Sequence, residues 1–167
     1  MAYVISSISM KGGVGKTTSV VCLGMGLADR KKKVLLVDLD AQGSLSIAMG
    51  CDYPERRPIT MAELLQKQED TQRNQKVIEG ILSVSAYLDY FPANRKMALV
   101  EQELVLTKGG EHVLGQFLAS LPACGKVYDY ILLDCPPSLG MLTVNALAVS
   151  NGVLMPTQAE YLAVKGM

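Results

Sequence analysis

The chain has 167 residues and a mass of 18.0 kDa, a length typical of one domain. Lys and Arg together number 16 and so do Asp and Glu, so the net charge is zero, which excludes a uniformly basic nucleic-acid coat. Hydrophobic residues make up 49% and charged residues 19%, which excludes wholesale disorder, and no apolar run is long enough to span a bilayer.

The first part of the chain alternates strand and helix patterns. Residues 3–9 are apolar and Ser-rich, which predicts a strand, and residues 17–29 predict a helix. That helix has little polar face, so we expect it to be buried, with Gly24 and Gly26 allowing close packing against a neighbour. Residues 34–37 form an unbroken β-type run, which is typical of a parallel strand covered on both faces.

The rest of the chain continues the alternation. Residues 52–76 are rich in Pro, Gln and charge and predict a solvated segment, interrupted by a short helix at 61–66. The later patterns predict a strand at 83–91, helices at 94–106 and 111–121, a buried strand at 128–133, a helix at 139–149 and a buried strand at 152–155. This order predicts one α/β domain with a mostly parallel sheet flanked by helices.

A glycine-rich loop lies between the first strand and the first helix. It consists of Lys11, Gly12, Gly13, Val14, Gly15, Lys16, Thr17 and Thr18. Its glycines let successive backbone N–H groups point at one anion, and the following helix adds its positive end. Lys16 is placed to reach the β- and γ-phosphates of a nucleotide, Thr17 to bind Mg²⁺, and Thr18 to donate to the α-phosphate. The strict phosphate-loop pattern has Gly where this chain has Met10, and Lys11 is an additional lysine.

Three carboxylates follow predicted buried strands. Asp38 and Asp40 come after the second strand, and Asp134 comes after the strand at 128–133. The carboxyl ends of parallel strands are where ligands bind in open α/β sheets. Carboxylates there would hold the Mg²⁺ of a bound nucleotide and its waters. Together with Thr17, these three residues are the predicted metal site.

Five stretches, spread over the whole chain, carry a resemblance to the ParA/Soj chromosome- and plasmid-partitioning ATPases of the wider MinD/ParA group, whose phosphate loop is a deviant Walker A motif. They are residues 11–18, 34–43, 91–94, 128–140 and 156–160. Residues 134–140 read Asp-Cys-Pro-Pro-Ser-Leu-Gly, which favours ParA because MinD-like members usually show Pro-Ala-Gly there. The resemblance implies a P-loop NTPase fold over residues 1–167.

The resemblance also implies roles for individual residues. Lys11 matches the signature lysine that reaches the partner's phosphates in an ATP-bound dimer. Lys16 matches the phosphate lysine, and Asp40 matches the carboxylate that positions or activates the attacking water. Asp38 and Asp134 match residues that hold Mg²⁺, largely through water. These roles make Lys11, Lys16 and Asp40 the predicted catalytic residues.

The cofactors and partners implied by the resemblance are those of a partitioning ATPase. The cofactors are ATP and Mg²⁺. The partners are a second copy of the chain, bound in the presence of ATP through Lys11, and a ParB-like centromere-binding protein, with nonspecific DNA as a further partner and no membrane. Four scattered cysteines without a Cys-x-x-Cys pair are typical of reduced thiols, so we expect a cytoplasmic location, on the nucleoid where DNA is bound.

Family members usually continue well beyond the point matched by Gly166 and Met167. The expected fold is therefore incomplete at the C-terminus and corresponds to about the N-terminal two-thirds of the family's domain. The part beyond would contain the last strands, much of the adenine pocket and the surface that binds nonspecific DNA.

Three other functions remain open at this point. One is a catalytically inactive ParA-like fragment, which a turnover assay distinguishes from an active ATPase. Another is a membrane-positioning ATPase of the MinD type, whose amphipathic helix would lie beyond residue 167. The last is an electron-transfer iron protein of the nitrogenase kind. It would need cysteines that bridge a cluster, whereas Cys135 lies beside a predicted metal carboxylate and Cys22 lies in a helix predicted to be buried.

Overall fold

The computed structural model describes residues 2–66 and 73–158, which form a six-stranded sheet with helices on both faces. The strands are β1 (Tyr3–Ser7), β2 (Val34–Asp38), β3 (Leu82–Ser85), β4 (Leu88–Phe91), β5 (Tyr130–Asp134) and β6 (Gly152–Leu154). The helices are α1 (Lys16–Asp29), α2 (Ser44–Ala48), α3 (Met61–Leu65), α4 (Arg73–Gly80), α5 (Met97–Leu106), α6 (Val113–Ser120) and α7 (Met141–Val149). No helix in these two stretches is long and apolar enough to cross a membrane.

The strand order is β3-β4-β2-β5-β1-β6, and every neighbouring pair except β3 with β4 is parallel. The unbroken apolar run in β2 is fully buried, because its alternate side chains enter two different cores. Leu36 packs with Val20 of α1 on one face. Leu35 and Val37 pack on the other face with residues of α3, α5, α6 and α7. The predicted α/β class and the mostly parallel sheet are confirmed.

The predicted single strand at 83–91 is wrong, because β3 and β4 are two antiparallel strands of a tight hairpin. The turn lies at Ala86 and Tyr87 and contains neither Gly nor Pro, which is why the sequence pattern missed it. The Ser85 hydroxyl accepts a hydrogen bond from the Tyr87 N–H at 3.2 Å. A serine that bonds the backbone two residues on stabilises a turn locally.

The short helix predicted at 61–66 is confirmed as α3, but the solvated character predicted for 52–76 is wrong there, and residues 67–72 lie outside the described part of the chain. Met61, Ala62, Leu64 and Leu65 are all buried. The helix begins with a capping box, in which the Thr60 side chain accepts from the Ala62 N–H and the Glu63 carboxylate accepts from the Thr60 N–H. Partial burial alone would raise the pKa of Glu63, but hydrogen bonds from Lys96 and Thr60 outweigh it and lower the pKa.

The last strand, β6, is predicted to be buried, but none of its three residues is buried and Val153 is exposed. Val153 is 45% exposed and Met155, just beyond the strand, is 56% exposed. Within the described residues β6 pairs only with β1, so it forms an edge of the sheet. Apolar character in this short run therefore does not indicate cover on both faces.

Helix α1 buries only one narrow face, contrary to the expectation from its composition. Val20, Gly24 and Ala28 are buried at four-residue spacing, whereas Leu23 and Met25 are 37% and 49% exposed. A Cβ atom at Gly24 would lie 2.6 Å from Leu36 Cδ2, so this glycine permits close packing of α1 on the sheet. A Cβ atom at Gly26 would meet nothing within 4 Å, so the same expectation for Gly26 is wrong.

The two glycines of α1 should therefore respond oppositely to the same substitution. We expect Gly26→Ala to raise the free energy of unfolding by about 0.5–1 kcal/mol, because alanine is the better helix former and the site is open. We expect Gly24→Ala to lower it by about 1–2 kcal/mol, because Leu36 must shift inside a packed core. Urea denaturation of the two variants and the parent measures the difference; two equal effects would show that the α1–sheet contact accommodates a methyl group.

Candidate functional site

The candidate site lies at the carboxyl ends of β1, β5 and β2, which are adjacent in the sheet. Asp134, the last residue of β5, is in register with Ser7 of β1 on one side and with Asp38 of β2 on the other. The glycine-rich loop leaves the end of β1 and leads into α1. The parallel pairing thus brings together the loop and the carboxylates that the sequence predicted.

The loop forms an open cradle at the N-terminus of α1. Gly13 and Gly15 have positive φ angles of 74° and 93°, which are left-handed conformations that favour glycine. Cβ atoms built at Gly12, Gly13 and Gly15 would meet nothing within 4 Å, so the space beside the loop is open. In the described part of the chain, the N–H groups of residues 15–18 donate to no other residue. This arrangement provides unengaged donors and a positive helix end for an anion.

The two loop lysines have different surroundings. Lys16 is only 8% exposed, and its ammonium donates to the Lys11 carbonyl oxygen at 3.4 Å. The Lys11 ammonium donates to Gln158 Oε1 at 3.1 Å. Lys16 therefore lies inside the loop, whereas Lys11 extends across it towards the segment that follows β6.

Thr17 and Asp134 are in direct contact. The Thr17 hydroxyl donates to Asp134 Oδ2 at 2.7 Å, while Asp134 Oδ1 is buried and has no hydrogen-bond partner among the described residues. Burial raises the pKa of Asp134 to about 6, with a further increase from the charge of Asp40, against lowering contributions from Thr17 and Lys16. A buried carboxylate oxygen without a donor is chemically suited to a cation or to a water molecule that a cation holds.

Thr17 and Asp134 fit a Mg²⁺ ion that is also bound by phosphate oxygens. In the described part of the chain, no group of three or more His, Cys, Asp or Glu side chains would hold a metal ion by itself. Mg²⁺ commonly takes one or two protein oxygens and completes its coordination with phosphate oxygens and water. Thr17 and Asp134 match that requirement, since they lie beside the open cradle.

Asp38 is buried and hydrogen-bonded within the protein, unlike a metal ligand that faces solvent. Its side chain is fully buried, and Oδ1 accepts from the Asp40 N–H at 3.1 Å. Oδ2 accepts from the Ser46 N–H at 2.9 Å and from the Ser46 hydroxyl at 2.6 Å. Burial raises the pKa of Asp38 to about 7, although the bonds from Ser46 oppose this. With both oxygens bonded, Asp38 shapes the turn that carries Asp40.

Asp40 lies in that turn and remains partly exposed. Its Oδ1 accepts from the Gln42 N–H at 3.0 Å, which orients the carboxylate. Its charge acts on Asp134, so the two carboxylates lie close enough to interact. Asp40 is thus held by its own loop next to the site, with a face open to solvent.

Two further residues that sequence reasoning missed lie at this edge of the sheet. Ser46 accepts from the Ala93 N–H at 2.9 Å while it donates to Asp38, and so links the ends of β2 and β4. Asn94 is 1% exposed; its Oδ1 accepts from the Lys96 N–H at 3.0 Å, and its Nδ2 has no partner among the described residues. The sequence signals were that Asn94 follows a predicted strand, as Asp38 and Asp134 do, and that it ends the 91–94 stretch that carries the family resemblance.

Because Ser46 links two strand ends, we expect the loss of its hydroxyl group alone to have a large effect on stability. We expect Ser46→Ala to lower the free energy of unfolding by about 2 kcal/mol, because it leaves the buried Ala93 N–H and one Asp38 oxygen with fewer partners. Ser44→Ala is the matched control in the same helix, since Ser44 is exposed, and it should change stability by less than about 0.5 kcal/mol. Equal urea midpoints for the two variants would contradict a bridging role for Ser46.

The chain is similar to known proteins over almost its whole length. A family model described as an AAA domain, AAA_31, matches residues 2–167. The sporulation initiation inhibitor protein Soj of Bacillus subtilis is 40% identical over 168 residues, covering 100% of this chain and 62% of that protein. The chromosome partitioning protein ParA of Myxococcus xanthus is 38% identical over 166 residues, covering 98% of this chain and 55% of that protein.

Solved structures with nucleotides are also similar. Cobyrinic acid a,c-diamide synthase from Mycobacterium smegmatis, with bound ADP and magnesium, matches with a TM-score of 0.86 at 36% identity, over 100% of this chain and 64% of that one. A plasmid partition protein from Borrelia burgdorferi B31, bound to AMPPNP, matches with a TM-score of 0.79 at 30% identity, over 99% of this chain and 66% of that one. This chain spans between 50% and 62% of the length of the curated relatives that it matches.

Proposed function

Because this chain belongs to the ParA/Soj family of P-loop ATPases, we propose that it binds Mg-ATP, hydrolyses it and uses it to control self-association. The observation that carries this proposal is the Thr17–Asp134 pair beside an open glycine cradle. Asp134 Oδ2 is bonded to Thr17, whereas Asp134 Oδ1 is buried and has no partner among the described residues. Such a pair is chemically suited to Mg²⁺ that accompanies a phosphate in the cradle.

Each residue of the proposed site has a role that follows from its surroundings. The N–H groups at the start of α1, together with Thr18, would bind the phosphates, and Lys16 would neutralise their terminal charge. Thr17 would be a direct Mg²⁺ ligand, and Asp134 would hold a water of the ion through Oδ1. Mg²⁺, when bound, supplies neutralisation of the charge on the phosphate oxygens.

Asp40 and Asp38 would act together on the attacking water. Asp40 is partly exposed beside the site and is oriented by the Gln42 N–H, so its carboxylate would position a water molecule and accept its proton. Asp38 would act by holding the Asp40 N–H and Ser46, as a support of the loop that carries Asp40. The metal-site role assigned to Asp38 from sequence therefore becomes, in this proposal, an indirect one.

The proposed biological setting is DNA partitioning, as in the ParA and Soj relatives. We propose a homodimer that forms with ATP, a ParB-like centromere-binding protein as its regulator, and nonspecific DNA as its support, in the cytoplasm or on the nucleoid. The names of the Soj and ParA relatives support this setting.

The experiment that tests the proposal compares the parent with Lys11→Ala. We expect the variant to bind Mg-ATP as a monomer about as tightly as the parent but to lose ATP-dependent self-association, because the proposed contact of Lys11 is with the phosphates of another copy. Sedimentation velocity with a non-hydrolysable ATP analogue, with ADP and without nucleotide measures association, and calorimetry measures binding.

Lys31→Ala is the matched control, since Lys31 is an exposed lysine outside the site. It should associate like the parent. Equal ATP-dependent association of the parent and Lys11→Ala would contradict the role of Lys11. A parent chain that binds Mg-ATP but neither associates nor turns it over would support the catalytically inactive alternative.

A further inference from the structure

Three hydrogen bonds connect the phosphate loop with itself and with Gln158. The Lys16 ammonium donates to the Lys11 carbonyl oxygen, and the Lys11 ammonium donates to Gln158 Oε1 at 3.1 Å. The amide of the same glutamine, Nε2, donates to the Gly13 carbonyl oxygen at 3.4 Å. Gln158 thus contacts both the side chain of the signature lysine and the backbone of the cradle.

The sheet explains why Gln158 reaches this position. Ser7 of β1 is in register with Leu154 of β6, and the Ile8 N–H donates to the Leu154 carbonyl oxygen at 2.9 Å. Lys11 and Gln158 each lie four residues beyond that pair, so the two segments leave the sheet side by side. The contact is therefore a consequence of parallel pairing between distant parts of the chain.

The chemistry of the contact suits a reversible restraint. The amide oxygen of Gln158 is neutral, so it attracts the Lys11 ammonium less strongly than a phosphate oxygen does. Both Gln158 hydrogen bonds lie at the exposed surface, where water competes with them. Phosphate can consequently displace Gln158 from Lys11 at small cost.

We propose that Gln158 is a positioning residue that holds the Lys11 ammonium against its own phosphate loop in the nucleotide-free chain. Release of this contact removes one restraint on the movement of Lys11 towards a phosphate. Only the last step, in which Lys11 reaches the phosphates of a second copy, rests on the function proposed above. The restraint itself concerns the nucleotide-free chain and is testable without any nucleotide.

The first test measures how readily the Lys11 amine is acylated in the nucleotide-free full chain. The reagent is an N-hydroxysuccinimide ester of acetic acid, and mass spectrometry compares the acylation rate of Lys11 with that of exposed Lys31 in the same molecule. Gln158→Leu removes both hydrogen bonds and should raise the ratio about two- to tenfold. Gln158→Glu replaces the neutral acceptor with a charged one and should lower it.

Thr157→Val is the matched control, because the hydroxyl of Thr157 donates to the Gln158 carbonyl oxygen and not to Lys11. It should leave the ratio unchanged. If Gln158 only anchored the segment after β6, Gln158→Leu and Gln158→Glu would both change the acylation ratio in the same direction. Equal ratios in the parent, Gln158→Leu and Gln158→Glu, or changes of one sign, would overturn the proposal.

The second test measures the protein concentration at which half of the chain self-associates with Mg²⁺ and a non-hydrolysable ATP analogue. We expect about a two- to tenfold lower midpoint for Gln158→Leu and a higher one for Gln158→Glu. If the parent associates and both Gln158 variants have the same midpoint as the parent, Gln158 does not control Lys11 in association. A parent that fails to associate would contradict the proposed function instead, and the acylation ratios would still decide whether Gln158 restrains Lys11.

Discussion

Replacing Lys16 by alanine is expected to abolish the binding of ATP. Lys16 is 8% exposed, and its ammonium lies within the loop at the Lys11 carbonyl oxygen, next to the open cradle. A charge held at a partly desolvated site interacts with phosphate more strongly than an exposed one. We expect the dissociation constant for Mg-ATP, measured by calorimetry, to rise at least about a hundredfold, which corresponds to roughly 3 kcal/mol.

Two controls accompany this measurement. Lys32→Ala removes an exposed lysine from the turn after α1 and should bind ATP like the parent. The thermal midpoint of Lys16→Ala, measured without nucleotide, shows whether the loop variant is folded. A folded Lys16→Ala protein with parental ATP affinity would be incompatible with a phosphate site in this loop.

Replacing Asp40 by alanine is expected to slow hydrolysis by about a hundredfold while the affinity for Mg-ATP changes little. The physical reason is that a carboxylate that positions and deprotonates water acts mainly on the transition state. Single-turnover hydrolysis at saturating nucleotide measures the rate, and calorimetry on the same preparation measures affinity.

Asp40→Asn separates charge from loop geometry. Its amide oxygen can still accept from the Gln42 N–H, so the loop keeps that hydrogen bond while the carboxylate is lost. We expect the Asp40→Asn variant to hydrolyse ATP nearly as slowly as the Asp40→Ala variant. If affinity collapsed while turnover at saturating ATP stayed normal, Asp40 would be a binding residue and the proposed role would be wrong.

The parts of the fold that the sequence predicted correctly are those that depend on local patterns. Residues 34–37 of β2 are an unbroken apolar run, and the structure buries them on both faces of a parallel sheet. The glycine-rich loop lies between β1 and α1, where the sequence placed it. Since parallel strands end at one edge, the strand pattern predicted Asp38 and Asp134 at the same edge of the sheet, whereas their direct register comes from the pairing of β2 with β5.

The parts that could not be predicted depend on contacts between distant residues. Hydrophobicity in α1 did not distinguish Val20, which packs on the sheet, from Met25, which faces solvent. Ser46 bonds to Ala93, and Gln158 bonds to Lys11, only because strand pairing brings remote segments together. The residues next to a serine or glutamine in the sequence form no pattern that predicts such a partner.

The position of β1 within the sheet has a consequence for how the chain acquires its nucleotide site. β1 is near the start of the chain, but its neighbours, β5 and β6, are near the other end of the described residues. During synthesis, the strand that leads into the phosphate loop must therefore wait until β5, more than a hundred residues later, has been made before it can pair. Pairing between such distant segments is slow because loop closure must be completed first. ATP present during refolding should consequently stabilise the finished sheet without accelerating its assembly.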